Sequence, residues 1–219
     1  MATFKDGANG GFSGKVGSVV GYQWRGINVM RSLPKKSNKP RSEKQLANEM
    51  RMKLAMAFLS PMSGLIRAGY QQVTEGLPMT PFNKALSYHK KHAIGGAYPE
   101  LYFDYSKAQI STGPLLPAES LAAEWTDEGL AFSWDASSKD TLVQEQNTII
   151  AVKLPAPHTW DVRTSGIQRG AGHYLFELPQ ALIGKEIHAY VAFNRILTGE
   201  MSDSRYVHVP AVGKPSSQD

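Results

Sequence analysis

Cysteine is absent from the 219-residue sequence, and its absence excludes several kinds of site. Without thiols the chain has no disulfide framework, no thiolate-bound zinc and no cysteine nucleophile. Long apolar runs are absent too, because no segment approaches the ~18 residues that a membrane-spanning helix requires. The first residues, MATFKDGANGGFSGK, lack the basic and then apolar segments of a secretory signal peptide. We therefore expect a soluble protein that an ordinary signal peptide does not export.

Motifs of nucleotide-binding and hydrolytic enzymes are also missing. Gly14 and Lys15 resemble the end of a phosphate-binding loop, but Asn9 and Val16 occupy positions where that motif needs Gly and then Ser or Thr. Strand-like residues follow Gly17, whereas a dinucleotide site needs a helix there. No G-x-S-x-G elbow is present. The carboxylates that could form a catalytic pair are interpreted as turn and surface charge: Glu119, Glu124, Asp127 and Glu128.

Histidines are the remaining candidates for chemistry. His89 and His92 lie three residues apart near the end of a predicted helix, but no third ligand is spaced to complete a metal site. We interpret both as solvated side chains at a helix end. The other histidines fall in predicted turns or strands: His158, His173, His188 and His208. The sequence therefore predicts no metal, no cofactor, no small-molecule ligand and no enzymatic activity.

Charge is distributed unevenly along the chain, although the net charge is only +5. Residues 1–94 hold 15 Lys and Arg against 4 Asp and Glu, whereas residues 95–219 hold 9 against 15. Such asymmetry is typical of a protein whose basic half binds a polyanion. It is equally compatible with assembly, in which the basic part of one copy contacts the acidic part of another.

Three short helices are predicted in residues 42–96. Ser42 and Gln45 form a capping-box pattern, and the apolar spacing that follows predicts a helix over 43–59. Ser and Pro at 60–61 predict a second helix over 61–74. Thr80 and Pro81 begin a third helix, which glycines at 95–96 end. Together these helices predict a compact basic unit.

From Tyr102 onward the apolar period changes from helical to alternating, which predicts an antiparallel sandwich. The segment GLAFSWDA, with Trp134, resembles the second strand of a fibronectin type III domain, and LPQALIGKEIHAYVAFNRILTGEMSDS resembles its late strands. This resemblance covers about residues 118–210 and departs at Ile187, where that family carries a corner tyrosine. It implies an immunoglobulin-like fold but no function. We interpret Trp125, Trp134 and Trp160 as packing residues.

A second resemblance lies in residues 13–34. The run SGKVGSVVGYQWRG, followed by RSLP and by AYVAF and SDSRYV near the end, resembles an uncharacterised family of Bacteroidota proteins of similar length. The match would cover nearly the whole chain. It implies no catalytic residue, because the family carries no established activity.

A β-hairpin is predicted around a two-residue turn at Arg25 and Gly26. This register pairs Trp24 with Ile27, Tyr22 with Val29 and Val20 with Arg31. One face is then almost wholly apolar and must pack against something, because an isolated two-stranded ribbon is marginal in water. It packs either on its own chain or on the sheet edge of a neighbouring copy. The predicted self-assembly residues are Val20, Tyr22, Trp24, Ile27 and Val29.

A basic segment follows the hairpin. Its cations could each neutralise a phosphate without regard to base sequence. A solvated linker is the alternative, and the absence of interleaved aromatic residues argues against base stacking. The candidate phosphate-binding residues are Lys35, Lys36, Lys39 and Arg41.

The sequence thus predicts an α+β fold, in which a β-hairpin arm and short helices precede an antiparallel immunoglobulin-like sandwich. The predicted units are 1–41 (arm and basic linker), 42–96 (helices), 97–210 (sandwich) and 211–219 (disordered tail). We expect a structural protein that forms homo-oligomers, such as a phage virion or filament subunit. The alternatives are a cytoplasmic protein that binds nucleic acid and, less favoured, a carbohydrate-binding module.

Overall fold

The N-terminal segment forms a small antiparallel sheet of its own. The structure is a computed structural model and describes residues 2–3, 12–35, 39–136 and 143–212. Four strands form this N-terminal sheet in the order β1-β4-β3-β2: β1 (Ala2–Thr3), β2 (Gly14–Val16), β3 (Val19–Trp24) and β4 (Ile27–Ser32). The glycines at 7, 10 and 11 lie outside the described residues.

The predicted hairpin register is confirmed. Trp24 pairs with Ile27, Tyr22 with Val29 and Val20 with Arg31. The turn places Arg25 at φ 48° and Gly26 at φ 80°, and two successive positive φ angles are what a type I′ turn requires. Arg25 therefore adopts a backbone conformation that non-glycine residues seldom adopt, and the turn still matches the twist of the two strands.

The first helix agrees with its prediction. Helix α1 spans Glu43–Leu59. The backbone N–H of Ser42 donates to Gln45 Oε1 at 2.9 Å, and the N–H of Gln45 donates to Ser42 Oγ at 3.4 Å. These reciprocal bonds form the predicted capping box, which satisfies two backbone donors at the start of the helix.

The second helix is shorter than the predicted 61–74. A 3₁₀ turn at Ser60–Met62 precedes α2, which spans Ser63–Gly69. A Cβ at Gly69 would lie 2.4 Å from the carbonyl oxygen of Ile110, and Thr112 N–H donates to the Gly69 carbonyl at 3.0 Å. The segment at residues 110–112 thus crosses close to Gly69. Helix α3 spans Pro81–His92 and is capped, as predicted, by the hydroxyl of Thr80.

The C-terminal part is a sandwich of two antiparallel sheets. The strands after the helices are β5 (Ile94–Gly95), β6 (Tyr102–Phe103), β7 (Ala122–Trp125), β8 (Gly129–Ser133), β9 (Gln146–Lys153), β10 (Trp160–Arg163), β11 (His173–Glu177), β12 (Ile187–Arg195), β13 (Glu200–Met201) and β14 (Arg205–Val209). The small sheet has the order β11-β8-β7. The large sheet has the order β10-β9-β12, and β13 and β14 both pair with β12. Strands β5 and β6 form a separate pair. The predicted α+β class with an antiparallel sandwich is confirmed.

The core between the two sheets contains the predicted tryptophan. Trp134 is buried, and its Nε1–H donates to the carbonyl of Arg169 at 2.8 Å. Trp125 and Trp160 are half-buried, as the packing interpretation predicts. Ile187 is fully buried in the same core, so an apolar side chain occupies the position at which the fibronectin pattern has tyrosine.

The large sheet packs on both of its faces. Alternate residues of β9, such as Ile150 and Val152, enter the core between the sheets, whereas Ala151 belongs to a second cluster formed with the helices. Tyr190 of β12 joins that second cluster, and its hydroxyl donates to the carbonyl of Tyr105 at 2.6 Å. Segments 42–96 and 97–210 therefore both contribute to the second cluster. Their predicted division into separate units stays a prediction.

The predicted C-terminal tail and the predicted absence of a membrane-spanning helix concern only part of the described residues. Residues 211–212 have no regular secondary structure, and 213–219 lie outside the described residues. Over the ranges that the structure covers, no helix is both long and apolar enough to cross a membrane.

We predict opposite effects for alanine at the two glycines of α2. Gly69→Ala should lower the free energy of unfolding by about 2 kcal/mol, because its methyl group would overlap the Ile110 backbone. Gly64→Ala is the control, since no atom lies within 4 Å of its added Cβ, and it should raise stability by about 0.5 kcal/mol. Urea unfolding followed by circular dichroism measures both. Equal effects would contradict the close approach at Gly69.

Candidate interaction surface of the N-terminal sheet

The N-terminal sheet brings the five predicted self-assembly residues onto one face, as the confirmed register requires. Val29 is almost fully buried, with 2% of its surface exposed. Val20, Tyr22 and Ile27 are half-buried, and Trp24 is 39% exposed. Trp24 is therefore the member of the five that offers the largest exposed apolar surface.

The opposite face is covered at its centre by Phe12. A Cβ at Gly21 would lie 2.5 Å from the Phe12 carbonyl oxygen and 2.6 Å from its ring. Only glycine lets the chain before β2 cross the sheet this closely. Met30 also lies on this face and is 37% exposed. Sequence patterns did not reveal this packing, because Phe12 follows a run of glycines that predicts no contact.

The N-terminal sheet is peripheral to the cores of the body, which comprises the helices and the sandwich. Among the described residues, those that form or flank the hydrophobic clusters all lie at or after Phe58. One polar connection between the two parts is a hydrogen bond from Arg25 Nη1 to the carbonyl of Met79. Strand β2 is an edge strand, and its Val16 is 63% exposed. The sheet thus presents an edge strand and an exposed tryptophan, and none of its described residues belongs to the hydrophobic clusters of the body.

The candidate phosphate-binding residues lie on the linker after this sheet. Lys35, Lys39 and Arg41 are exposed, and Lys36 lies outside the described residues. Arg41 Nη1 lies 2.6 Å from Glu49 Oε2 of α1, in an ion pair whose side chains are 65% and 49% exposed. The arginine of this set is therefore paired with a carboxylate, which would compete with a phosphate.

Comparison with known proteins supplies the family. The family model that describes DUF6266, a family of unknown function, matches residues 11–208. The chain belongs to the DUF6266 family. No curated protein matches it. One solved structure with similarity is the fourth FNIII domain of a human protein, at 18% identity and a TM-score of 0.30, covering 57% of this chain and 96% of that domain. A TM-score of this size supports no argument about function, and the Bacteroidota origin stays a prediction.

The two helix-end histidines of this DUF6266 protein have different environments. His92 is exposed, as predicted, but His89 is fully buried, so its prediction as a solvated side chain is wrong. His89 Nδ1–H donates to the Ala85 carbonyl at 2.7 Å, and its Nε2 accepts from the Gln109 N–H at 3.2 Å. Burial lowers the pKa of His89 to about 4. Both ring nitrogens are used within the fold, and no group of metal ligands occurs in the part of the chain that the structure describes.

A second histidine cluster was not predicted. The His188 ring stacks on Tyr105 with 4.4 Å between ring centroids, and its Nδ1 lies 2.7 Å from the Tyr206 hydroxyl. His208 is its cross-strand partner and places Nε2 2.9 Å from Glu186 Oε1. Burial lowers the pKa of His188, and the neighbouring His208 acts in the same direction. The cluster depends on the pairing of β12 with β14, which sequence spacing does not specify.

The predicted surface carboxylates behave as expected. All four are exposed and lie around β7 and the turn that leads to β8: Glu119, Glu124, Asp127 and Glu128. We call residues 119–128, which carry these four carboxylates, the β7 edge.

His89 should make the stability of the protein dependent on pH. Its pKa is near 6.5 when unfolded and about 4 when folded, so the unfolded state binds more protons between these values. The neutral His89 ring makes its full contribution to the free energy of unfolding above pH 6.5. That free energy should fall by about 3 kcal/mol as the pH drops to 4. Urea unfolding between pH 7.5 and 4.5 measures this slope.

Two glutamine variants isolate the contribution of that histidine. His89→Gln should be less stable at pH 7.5 and should flatten the slope, because it removes the titrating ring. His92→Gln is the matched control, because it makes the same replacement at an exposed histidine of the same helix. A slope that survives in His89→Gln would assign the pH dependence to other groups.

Proposed function

We propose that this DUF6266 protein is a non-enzymatic structural protein that assembles with copies of itself through its N-terminal sheet. The observation that carries the proposal is the exposed Trp24 on a sheet that shares none of the described hydrophobic clusters of the body. Val29 is buried and its neighbours on this face are half-buried, so Trp24 and the edge of β2 are what the sheet offers to a partner.

The edge of the sheet provides main-chain hydrogen bonds for this contact. Strand β2 pairs with β3 on one side, and its other side has no strand partner among the described residues. Edge strands can add to the sheet of another chain through their main-chain groups. Val16, exposed on β2, would be covered in the same contact.

Charge favours a second copy as the partner. The N-terminal half carries the excess of Lys and Arg, and the C-terminal half carries the excess of Asp and Glu. The N-terminal sheet presents exposed Lys15, Arg25 and Arg31, whereas the β7 edge presents exposed carboxylates. Opposite charges on the two surfaces would steer the sheet of one copy toward the sandwich of another.

Each contact would be modest in strength. Val29 is already buried in the protomer, so Trp24 and the half-buried residues around it supply most of the area that remains to be covered. That area corresponds to a few kcal/mol, on the order of 3, before ordering costs are subtracted. Repeated contacts in a lattice or filament would multiply this affinity. We propose a virion or filament subunit, of phage or prophage origin, as the role of such repeated contacts.

The other candidate functions receive less support. Phosphate binding by the linker stays a prediction, and the exposure of Lys35 and Lys39 is compatible with it. Carbohydrate binding by a sheet face is less favoured, because the helices cover the outer face of the large sheet.

Two alanine variants test the proposal on opposite faces of the same sheet. Trp24→Ala should weaken self-association by about tenfold or more, because large aromatic residues dominate the energy of protein contacts. Met30→Ala is the matched control, since Met30 is similarly exposed but lies on the other face. Light scattering should show the first variant moving toward the 24.0 kDa monomer and the second remaining like the parent.

Deletion of residues 1–33 provides a stronger test of the same contact. We expect a folded monomer by circular dichroism and light scattering, because the described clusters of the body begin at Phe58. An unfolded product would mean that the sheet stabilises its own chain. An unchanged oligomer, or a parent that is already monomeric, would overturn the proposal.

A further inference from the structure

A concave groove between α1 and α3 carries basic side chains that sequence analysis did not single out. It encloses about 490 Å³. Its lining comes from the two helices alone: Asn48, Arg51, Met52, Asn83, Leu86, Ser87, Lys90 and Lys91. The candidate phosphate-binding residues of the linker are not among them. The groove is therefore a basic surface with a defined shape, distinct from the extended basic linker.

The charges of the groove are not balanced by carboxylates. None of the residues that line it is acidic, and the sequence of α3 contains no Asp or Glu. On α1, Glu49 is next to Asn48, but its carboxylate is bound by Arg41. Three cations thus share one concavity, in which each repels the others. An anionic ligand would relieve that repulsion.

The neutral side chains of the groove are suited to phosphate oxygens. Asn48, Asn83 and Ser87 supply amide and hydroxyl donors beside the cations. Lys90 Nζ donates to Asn48 Oδ1 at 2.9 Å, and this bond links the two helices across the groove. It also fixes the orientation of the Asn48 amide. An ammonium group has three donors, so Lys90 retains further donors for a ligand.

The absence of aromatic side chains from the lining decides which part of a polyanion would bind. Met52 and Leu86 are its apolar residues, and no ring is present on which a base could stack. Arg51 lines the groove from α1, and Lys90 and Lys91 line it from α3, so cations of both helices can meet a backbone that carries a charge at each nucleotide. We propose that the α1/α3 groove binds the phosphodiester backbone of a nucleic acid, without preference for base sequence.

This proposal is independent of self-assembly, because it uses residues of the helices rather than the N-terminal sheet. Its test is fluorescence anisotropy with a labelled 20-base-pair DNA duplex of mixed sequence in 50–200 mM KCl. The groove variant is Arg51→Gln, Lys90→Gln and Lys91→Gln together. The control variant, Lys53→Gln, Arg67→Gln and Lys185→Gln, removes the same charge from exposed positions outside the groove.

Salt dependence distinguishes the groove from net charge. The slope of log affinity against log salt should become shallower by about 3 in the groove variant, or about 1 for each lost phosphate contact. The control variant should change the slope by less than about 1. A third variant, with glutamine at Lys35, Lys36, Lys39 and Arg41, measures the linker separately. Thermal unfolding of each variant tests whether the fold is intact, since Lys90→Gln removes the bond to Asn48 that links α1 and α3.

Three results would overturn the proposal. Undetectable binding of the duplex by the parent protein in 50 mM KCl would remove nucleic acid as the ligand. Equal effects of the groove and control variants would assign binding to net charge. Preferential binding of poly-L-glutamate over the duplex would identify an acidic protein as the partner of the groove.

Discussion

The pairing of β9 with β12 is the contact on which the rest of the fold depends. Eight residue pairs join these strands, from His188 with Lys153 to Arg195 with Gln146. Because one face of this pair packs on the small sheet and the other on the helices, both strands are buried nearly throughout. Strands buried on two faces read as continuous apolar runs, and NTIIAVK and IHAYVAF have that character. Loss of this pairing would therefore disrupt both hydrophobic clusters, because each of them contains residues of β9 and β12.

Polar side chains fix the segment that joins the helices to this sheet. Ile110 N–H donates to Ser204 Oγ at 2.9 Å, and Ser111 Oγ–H donates to the carbonyl of Ser202 at 2.8 Å. His89 accepts from the backbone one residue earlier, at Gln109. These bonds satisfy backbone groups that would otherwise be buried without partners, which is costly in a tightly packed core. The buried His89 thus provides an acceptor for the Gln109 N–H.

Local patterns predicted the elements of this protein better than their contacts. The capping box of α1 and the hairpin turn at Arg25 and Gly26 are decided by residues within a few positions of each other, so the sequence alone indicated them with the right register. The end of α2 was misplaced because it depends on Ile110, which lies 41 positions after Gly69 and packs against it only in the folded chain. The burial of His89 was missed for the same reason. The α1/α3 groove combines positions from two helices whose relative placement no local pattern specifies.

The distribution of packed and unpacked surfaces constrains how copies of this protein can meet. The small sheet packs on one face of the large sheet and the helices pack on the other, whereas the N-terminal sheet and the β7 edge carry exposed charges of opposite sign. A contact between two different surfaces is heterologous, and such contacts close into rings or continue into filaments rather than stopping at a two-fold dimer. In either assembly the α1/α3 groove of each copy would recur at a regular spacing. A long polyanion bound along that series of grooves would gain affinity from every copy that it crosses, so assembly and phosphate binding would reinforce each other without sharing a residue.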